Sequence, residues 1–220
     1  MTTAFPPPTT LRATRGPVGA VVGDEIRRLQ YGYLHDRPDA VATLARLRRG
    51  AGKDAAAIPD LWGLLDTRRL YSAVTLRQEA AERAVYLATT LWALHQQARS
   101  TGMHRLGGNE LGGAVRRLMP VGEILEPIRK RFVRAGTAPT LDLLGTRLRE
   151  ITVLLRGAEI TLDYALLADQ LHRWQEPGGP DEVRRSWGRS FQAYHPKSAA
   201  EEASADLTDA TSETDPKGTP

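Results

Sequence analysis

The sequence predicts an all-α fold, a helical bundle of eight or nine short helices arranged as two packed halves. Apolar residues recur at helical spacing through most of the 220-residue chain. No stretch sustains the period-two alternation that is typical of a half-buried strand. The connections between the periodic segments are short and are marked by glycine or proline. We therefore expect helices that bury one face each against their neighbours.

Composition narrows the class of protein. Hydrophobic residues make up 41% of the chain and charged residues 25%, values that are typical of a soluble globular protein. No apolar run approaches the roughly 18 residues of a transmembrane helix, and the first ten residues do not resemble a signal peptide. The chain has no cysteine, which excludes disulfides, thiolate zinc sites and cysteine nucleophiles. We expect a cytoplasmic protein that carries no cofactor.

The two ends differ from the rest in composition and charge. Half of the 14 prolines lie near the termini, and we expect disorder over residues 1–18 and 197–220. Residues 19–196 form the predicted helical domain, with a sub-boundary near the glycine-rich stretch 101–113. Segment 197–220 holds six carboxylates and two lysines, a net charge of −4. Because the whole chain has a net charge of +4, residues 1–196 have a net charge of +8. A basic body with an acidic tail recurs among nucleic-acid binders, although many such tails only aid solubility.

The first half of the chain predicts four helices. The first covers roughly 20–34, and the second covers 38–49, with Asp36 as a candidate N-cap and Pro38 in the first turn. A short helix is expected after Pro59, in "DLWGLLDTRR". A long helix follows over about 76–99, opened by a capping-box pattern of Thr75 and Gln78. One narrow apolar stripe of this helix contains Ala80, Ala84, Leu87, Leu91 and Leu94.

The second half begins with the glycine-rich "TGMHRLGGNELGG". Helices are predicted for "AVRRLM", for about 125–135, for "TLDLLGTRLREITVLLRG", for "TLDYALLADQLHRW" and for about 181–194. In the third of these, one arc contains Leu141, Leu144, Leu148, Ile151 and Leu155.

The stretch "IRKRFVRAG" combines an apolar arc with a cationic one. At 100° per residue, the apolar arc contains Leu125, Ile128, Phe132 and Val133, which we expect to face the core. The opposite side presents Lys130, Arg131 and Arg134, with Arg129 at the margin. Like charges one turn apart repel by a few tenths of a kcal/mol per pair. A bound polyanion would convert that repulsion into attraction, whereas an ordinary solvated face is the alternative.

Further cations cluster in two places. "LARLRRGAGK" supplies Arg46, Arg48, Arg49 and Lys53, and "AVRRLM" supplies Arg116 and Arg117. Residues 116–156, which include Arg149 and Arg156, hold nine cations and four acids. Arginine's planar guanidinium suits bidentate contacts with phosphate. Because only 6% of the residues are aromatic, we expect contacts with the nucleic-acid backbone rather than base stacking.

Evidence for catalysis is weak. His95 lies on the apolar stripe and is expected to be a core histidine. The dipeptide His35-Asp36 matches that of helical HD phosphohydrolases, which need further His and Asp metal ligands. The glycine-rich stretch lacks the G-K-[ST] ending of a nucleotide-binding P-loop. Gly112 and Gly113 allow either a phosphate at a helix N-terminus or close packing between helices.

The order of these motifs resembles the CasB family. "LARLRRGAGK", "LWALHQQ", "LGGAVRRL", "IRKRFVRAG", "LREITVLLRGAEITLDYALLADQLHRW" and "VRRSWGRSFQAY" follow one another over roughly residues 22–194. The fifth block is the most specific. CasB is the small, all-helical subunit of Cascade, the type I-E CRISPR surveillance complex.

The resemblance implies a non-catalytic protein whose basic surface holds unwound target DNA. It implies contacts with the guide-bearing backbone subunits, with the large subunit and with a second copy of the chain, and it leaves crRNA as a further nucleic-acid partner. The candidate phosphate contacts are Arg46, Arg48, Arg49, Arg116, Arg117, Lys130, Arg131, Arg134, Arg149 and Arg156. Many relatives carry a cation where this chain has Gly113, so that contact is either moved to Arg116 or missing.

Two alternatives stay open on the sequence alone. A metal-dependent HD-type hydrolase would depend on His35. A purely structural adaptor would pair its arginines with acidic partner proteins and would not touch nucleic acid. No cofactor or metal is implied by the favoured hypothesis.

Overall fold

The computed structural model describes residues 15–54, 58–71 and 77–194. Within these ranges nine α-helices form the fold, and a single parallel bridge between His104 and Leu162 is the only β pairing. The all-α prediction is confirmed. In chain order the helices are α1 (Pro17–Leu34), α2 (Pro38–Leu47), α3 (Arg68–Tyr71), α4 (Gln78–Gln96), α5 (Leu111–Arg117), α6 (Glu126–Gly136), α7 (Leu141–Gly157), α8 (Tyr164–Trp174) and α9 (Gly179–Gln192).

Helix α4 is the centre of the bundle. The predicted stripe is buried, and so is every residue from Ala84 to Gln96, because α1, α2, α7 and α8 surround the helix. The buried hydroxyls of Thr89 and Thr90 donate to the carbonyl oxygens of Val85 and Tyr86, each at 2.7 Å. Their hydrogen bonds are thus satisfied within the helix, which allows two polar residues in the core.

The predicted halves pack through one shared core. Helix α8, from the second half, packs against α1 and α4 of the first half, and the buried apolar residues of all these helices form one cluster. The glycine-rich stretch 101–113 connects α4 to α5 along this core, and its Asn109 side chain donates to the carbonyl oxygen of Thr161 at 2.9 Å. The predicted arc of α7 is buried as well.

The chain ends fall mostly outside the described residues. The predicted acidic tail, 197–220, lies wholly outside them, as do residues 1–14 of the predicted N-terminal extension. Helix α1 begins at Pro17, inside the range predicted for that extension. Proline suits the first helical turn because its fixed φ is already helical and its missing N–H has no partner to lose there.

Two predicted helix starts are wrong. Asp36 is not the N-cap of α2, since it has a left-handed φ of 51° and its N–H donates to the carbonyl oxygen of Tyr33. An N-cap needs extended backbone, which Arg37 supplies before Pro38. Helix α4 begins at Gln78 with Arg77 as the N-cap, whereas Thr75 was predicted for that position. Thr75 itself lies outside the described residues.

The short helix predicted after Pro59 is interrupted. A single 3₁₀ turn covers Pro59–Leu61, and α3 begins only at Arg68. Between them Gly63 has φ of 74°, a left-handed conformation that ends helical hydrogen bonding. A second 3₁₀ turn, Arg48–Gly50, completes the helix predicted over 38–49. Among the described helices none is both long and apolar enough to cross a bilayer.

Candidate nucleic-acid interface

Helix α6 lies on the surface and is attached by a narrow apolar strip. The ring of Phe132 stacks on Phe191 of α9 at a centroid distance of 5.5 Å and lies 6.4 Å from the ring of Trp187. Ala135 is the only fully buried residue of α6, and Ile128 packs partly buried against the same core. The outer side of the helix is therefore available to solvent along its length.

One apolar residue of α6 was placed on the wrong face. Val133 was expected to face the core, yet its side chain is 47% exposed. The buried arc is centred between Ala135 and Phe132, and Val133 lies more than a quarter-turn beyond that arc. Valine thus sits on the solvent side, next to the cations.

The cations of α6 face no carboxylate of the described residues. We define the α6 cluster as Lys130, Arg131 and Arg134, which are all exposed. Arg131 donates to the carbonyl oxygen of Pro127 at 3.3 Å. Glu126 is taken up by Arg129, at the predicted margin, with an N–O distance of 3.3 Å. The like charges of the α6 cluster therefore stay uncompensated within this part of the protein.

A second group of cations forms where α2 ends. We define the turn cluster as Arg46, Arg48, Arg49 and Arg149. The first three lie on the last turn of α2 and in the 3₁₀ turn after it. Arg149 of α7 joins them because it packs against Gly52, where a Cβ atom would lie 2.9 Å from the Cβ of Arg149. Gly52 also has φ of 77°, so glycine is required there twice over.

Helix α5 carries Arg116 and Arg117, the two arginines of "AVRRLM". A Cβ atom on Gly112 would lie 1.9 Å from the carbonyl oxygen of Trp187, so this glycine serves close packing of α5 on α9. Arg116 is half-buried and donates to the carbonyl oxygen of Pro120 at 3.0 Å, at the start of the loop to α6. The guanidinium carbon of Arg117 lies 5.3 Å from the centre of the Tyr194 ring.

Arg156 has an internal role. Its guanidinium donates to the Gln97 side-chain oxygen at 2.9 Å and to the carbonyl oxygen of Leu94 at 3.4 Å. These acceptors lie at the C-terminal end of α4, where helical carbonyl groups lack partners. Two of the predicted residues, Arg116 and Arg156, therefore stabilise backbone ends and present fewer donors to a ligand than the others do.

Many other arginines of the described residues pair with carboxylates. Arg27 pairs with Asp24, Arg28 with Glu25, and Arg69 with Asp24. Hydrogen bonds from Arg68 lower the pKa of Asp66 to about 2. By contrast, no ion pair with a carboxylate of the described ranges is formed by Arg46, Arg48, Arg49, Arg116, Lys130, Arg131, Arg134, Arg149 or Arg156.

Two further exposed arginines without a described carboxylate partner were not predicted from the sequence. Arg185 and Arg189 are exposed on α9 and form no ion pair with a described carboxylate. They stand four residues apart, opposite the buried Val183 and Trp187. This i, i+4 spacing was readable in "VRRSWGRSFQAY" and would have identified them.

The residues considered for catalysis have structural surroundings. His35 is exposed at the end of α1, where its Nδ1 lies 2.8 Å from the carbonyl oxygen of Tyr31. His95 is fully buried, as expected, with its Nδ1 2.9 Å from the Tyr164 hydroxyl, and burial lowers its pKa to about 4. No group of three or more His, Asp or Glu side chains in the described residues is arranged to hold a metal ion.

A buried aspartate fixes the loop before α5. The Asp163 carboxylate accepts hydrogen bonds from the N–H groups of Ala165 and Leu166, each at 3.1 Å, which caps α8. The same carboxylate accepts from the N–H of Gly107 at 2.7 Å and pairs with Arg15. The glycine-rich loop is thus tied to α8, and this holds α5 and its arginines in place.

Known proteins give the family of the chain. The family model described as CRISPR-associated protein Cse2 matches residues 43–191. The structure is similar to CasB from Thermobifida fusca, with 51% sequence identity, a TM-score of 0.75, and coverage of 82% of this chain and 100% of that one. CasB from Thermus thermophilus is 27% identical, with a TM-score of 0.60 and coverage of 80% and 98%.

More distant matches share the fold. A chain of a "CRISPR RNA-guided surveillance complex" is 19% identical, with a TM-score of 0.59 and coverage of 86% of this chain and 99% of that one. No curated protein sequence matches significantly. The family match spans more than half of the chain and the first structural relative is more than half identical, so this chain belongs to the CRISPR-associated Cse2 (CasB) family.

Proposed function

We propose that this protein is a non-catalytic subunit of a type I-E CRISPR surveillance complex, Cascade, and that it binds the sugar–phosphate backbone of nucleic acid. The contact residues are those of the α6 and turn clusters, with Arg116, Arg117 and Arg156 as additional contacts. The proposed site of action is the cytoplasm, and the nucleic acid is the target DNA in its unwound state, with crRNA as a second ligand.

The observation that carries this proposal is the missing internal counter-charge. Many arginines elsewhere in the described residues, such as Arg27, Arg28 and Arg69, have carboxylate partners, whereas the cations of the α6 and turn clusters are exposed or half-buried and have none among the described residues. Uncompensated like charges one turn apart cost stability in the isolated chain. A ligand with regularly spaced negative charges removes that cost, and phosphate oxygens fit the guanidinium fork.

The energetics of guided target recognition give such contacts a purpose. Replacing a DNA duplex by an RNA–DNA heteroduplex is nearly balanced in free energy, so contacts with the backbone can decide whether the strands stay separated. Backbone contacts are independent of sequence, which suits a complex that must accept any target. The absence of a base-reading motif in the sequence agrees with this role.

The proposed protein partners follow from the family. They are the guide-bearing backbone subunits, the large subunit and a second copy of this chain. Two of the structures that share the fold are chains of a CRISPR RNA-guided surveillance complex, which supports a role for this chain as a subunit of such a complex.

Reconstituted Cascade with altered α6 charges tests the proposal. We compare the native chain with K130A/R131A/R134A and with R27A/R28A/R69A, which removes the same number of cations from paired positions. Target-DNA affinity is measured between about 50 and about 200 mM salt, and the slope of log affinity against log salt is expected to shrink by about 2 to 3 for the α6 variant. The affinity at low salt is expected to fall on the order of ten- to a hundredfold.

Native mass spectrometry of each complex supplies the control for assembly. An intact complex of the α6 variant with weaker DNA binding supports the proposal, provided that R27A/R28A/R69A binds DNA normally. An intact complex with unchanged affinity and salt slope would exclude the contact assignment. Loss of the subunit from the complex, with unchanged DNA binding by whatever remains assembled, would instead identify a structural adaptor.

A further inference from the structure

The acidic segment at the C-terminus has a charge pattern opposite to that of the helical body. Its carboxylates are Glu201, Glu202, Asp206, Asp209, Glu213 and Asp215, against Lys197 and Lys217. The Cse2 family match ends at residue 191, before this segment begins. The segment is therefore an addition of this chain to the part that the family model describes.

The acidic segment is joined to the body close to α5 and α6. Helix α9 ends at Gln192, and Tyr194 lies beneath the guanidinium of Arg117 on α5. Phe191, one turn earlier, stacks on Phe132 of α6. The chain thus leaves the described residues next to α5 and α6. When extended, the 26 residues from 195 to 220 can span up to about 85 Å. This length is more than enough to reach the cations of α5 and α6.

We propose that the acidic segment 197–220 docks on the cationic surface formed by α5, α6 and α9, and that it competes there with nucleic acid. The competition rests on the proposed function, whereas the docking itself does not. The surface comprises Arg116, Lys130, Arg134, Arg185 and Arg189. These residues are exposed or half-buried and have no carboxylate partner among the described residues.

Charge complementarity favours this surface over the arginines of α1. The arginines of α1 already pair with Asp24 and Glu25, so they offer an acidic segment little gain. Each exposed ion pair contributes only about 0.2–1 kcal/mol, and several must form together. Covalent attachment makes that feasible, since a short tether gives an effective concentration in the millimolar range.

A docked acidic segment would weaken the binding of other anions to this surface. Short or weakly held polyanions would have to displace it, whereas a long strand already held by the rest of the complex has a higher charge density and displaces it readily. If the segment occupies the surface for roughly nine-tenths of the time, the apparent affinity for a free oligonucleotide falls about tenfold. The effect should disappear at high salt, because exposed ion pairs are screened.

Paramagnetic labelling of the full chain tests the docking. The chain lacks cysteine, so S212C gives one attachment site for a nitroxide label. We expect the amide signals of α5, α6 and α9 to broaden at low salt, those of α1 to stay sharp, and the difference to vanish at high salt. Equal broadening of α1 and α6, or none on either, would overturn the docking proposal.

The full chain with an uncharged segment is the matched variant. It carries E201Q, E202Q, D206N, D209N, E213Q and D215N together with S212C, and its label should broaden no helix selectively. A second control permutes the order of residues 197–220 without changing their composition. Because the proposed attraction depends on charge and not on sequence, the permuted segment should behave like the native one, and selective loss of docking would contradict that mechanism.

Oligonucleotide binding separates the two proposals. A labelled single-stranded DNA is titrated into the native chain and into the uncharged-segment variant over a salt series. Tighter binding by the variant at low salt, about tenfold and converging at high salt, supports competition. Equal binding by both chains overturns the competition while leaving the proposed function intact. If reconstituted Cascade shows no dependence on the α6 cluster while the label still reports docking, the proposed function fails and the docking stands.

Discussion

Helices α1 and α6 are both rich in arginine, but they use it differently. Helix α1 buries a continuous apolar face, including Val22 and Ile26 at 0% exposure, and its Arg27 and Arg28 pair with carboxylates one turn earlier. Helix α6 buries only Ala135 completely and leaves three cations without a described carboxylate. One helix is a stable element of the core with a neutral surface. The other gives up stability and presents a charged surface that suits an external anion.

The largest expected difference concerns burial. Ile26→Ala in α1 should lower the free energy of unfolding by about 3–4 kcal/mol, because the side chain is fully buried and the cavity cannot close completely. Ile128→Ala in α6 makes the same chemical change at a half-buried position and should cost about 1–2 kcal/mol. Urea unfolding midpoints of the two variants give the comparison. Equal losses would show that α6 is as deeply anchored as α1.

The next largest effect is expected from a buried histidine rather than from either charged surface. Burial lowers the pKa of His95 from 6.5 to about 4, so the folded protein keeps it neutral where the unfolded chain takes up a proton. Stability should therefore be complete above about pH 6.5 and fall by up to about 3 kcal/mol as the pH drops toward 4. Burial lowers the pKa of His104 as well, which adds a loss of the same sign.

His95→Gln isolates this contribution. The variant should lose less stability than the native chain between about pH 6.5 and about pH 4, as measured by urea unfolding at several pH values. His35→Gln makes the same chemical change at an exposed position and is the control for the substitution itself. An unchanged profile for His95→Gln would mean that surface charges, not the core, govern the acid sensitivity.

The helical fold was predictable because the apolar spacing is regular. The arcs of α4 and α7 were readable from the sequence, and they are buried as predicted. The errors occurred where neighbouring structure decides the backbone conformation. Asp36 had the right chemistry for an N-cap, but the end of α1 placed it in a left-handed conformation. Gly63 interrupts a stretch that local propensity alone allowed to be helical.

The sequence predicted which cations form the candidate site, but it did not predict which of them bind other groups of the protein. The sequence identified the cations of α6, yet it could not show that Arg156 is engaged by the end of α4, since that contact joins residues about sixty positions apart. It also placed Val133 in the core, because a helical arc drawn around four apolar residues is wider than the strip that α6 buries. Contact of Arg149 with Gly52 likewise depended on the fold.

A carboxylate introduced on α6 should pair with its cations, as Asp24 and Glu25 pair with the arginines of α1. Val133→Glu places a carboxylate three residues after Lys130 and four after Arg129, at a position that is already exposed. In reconstituted Cascade we expect target-DNA affinity to fall about three- to tenfold and the salt slope to shrink by about one phosphate contact, roughly 0.7–0.9. Tyr31→Glu adds the same charge to an exposed position of α1, beside arginines that are already paired, and should leave DNA binding unchanged.

The smallest expected effect has opposite signs in the two helices. K130A/R131A/R134A should raise the free energy of unfolding by a few tenths of a kcal/mol, because the repulsion between cations three and four residues apart is removed. R27A/R28A/R69A should lower it by about 1 kcal/mol, since these arginines, whose own side chains are exposed, pair with Asp24 and Glu25. Urea midpoints at low and high salt measure both, and screening should shrink both differences. A loss of stability in the α6 variant would mean that its cations already have counter-charges within the chain. The contrast between the two helices would then have no energetic basis.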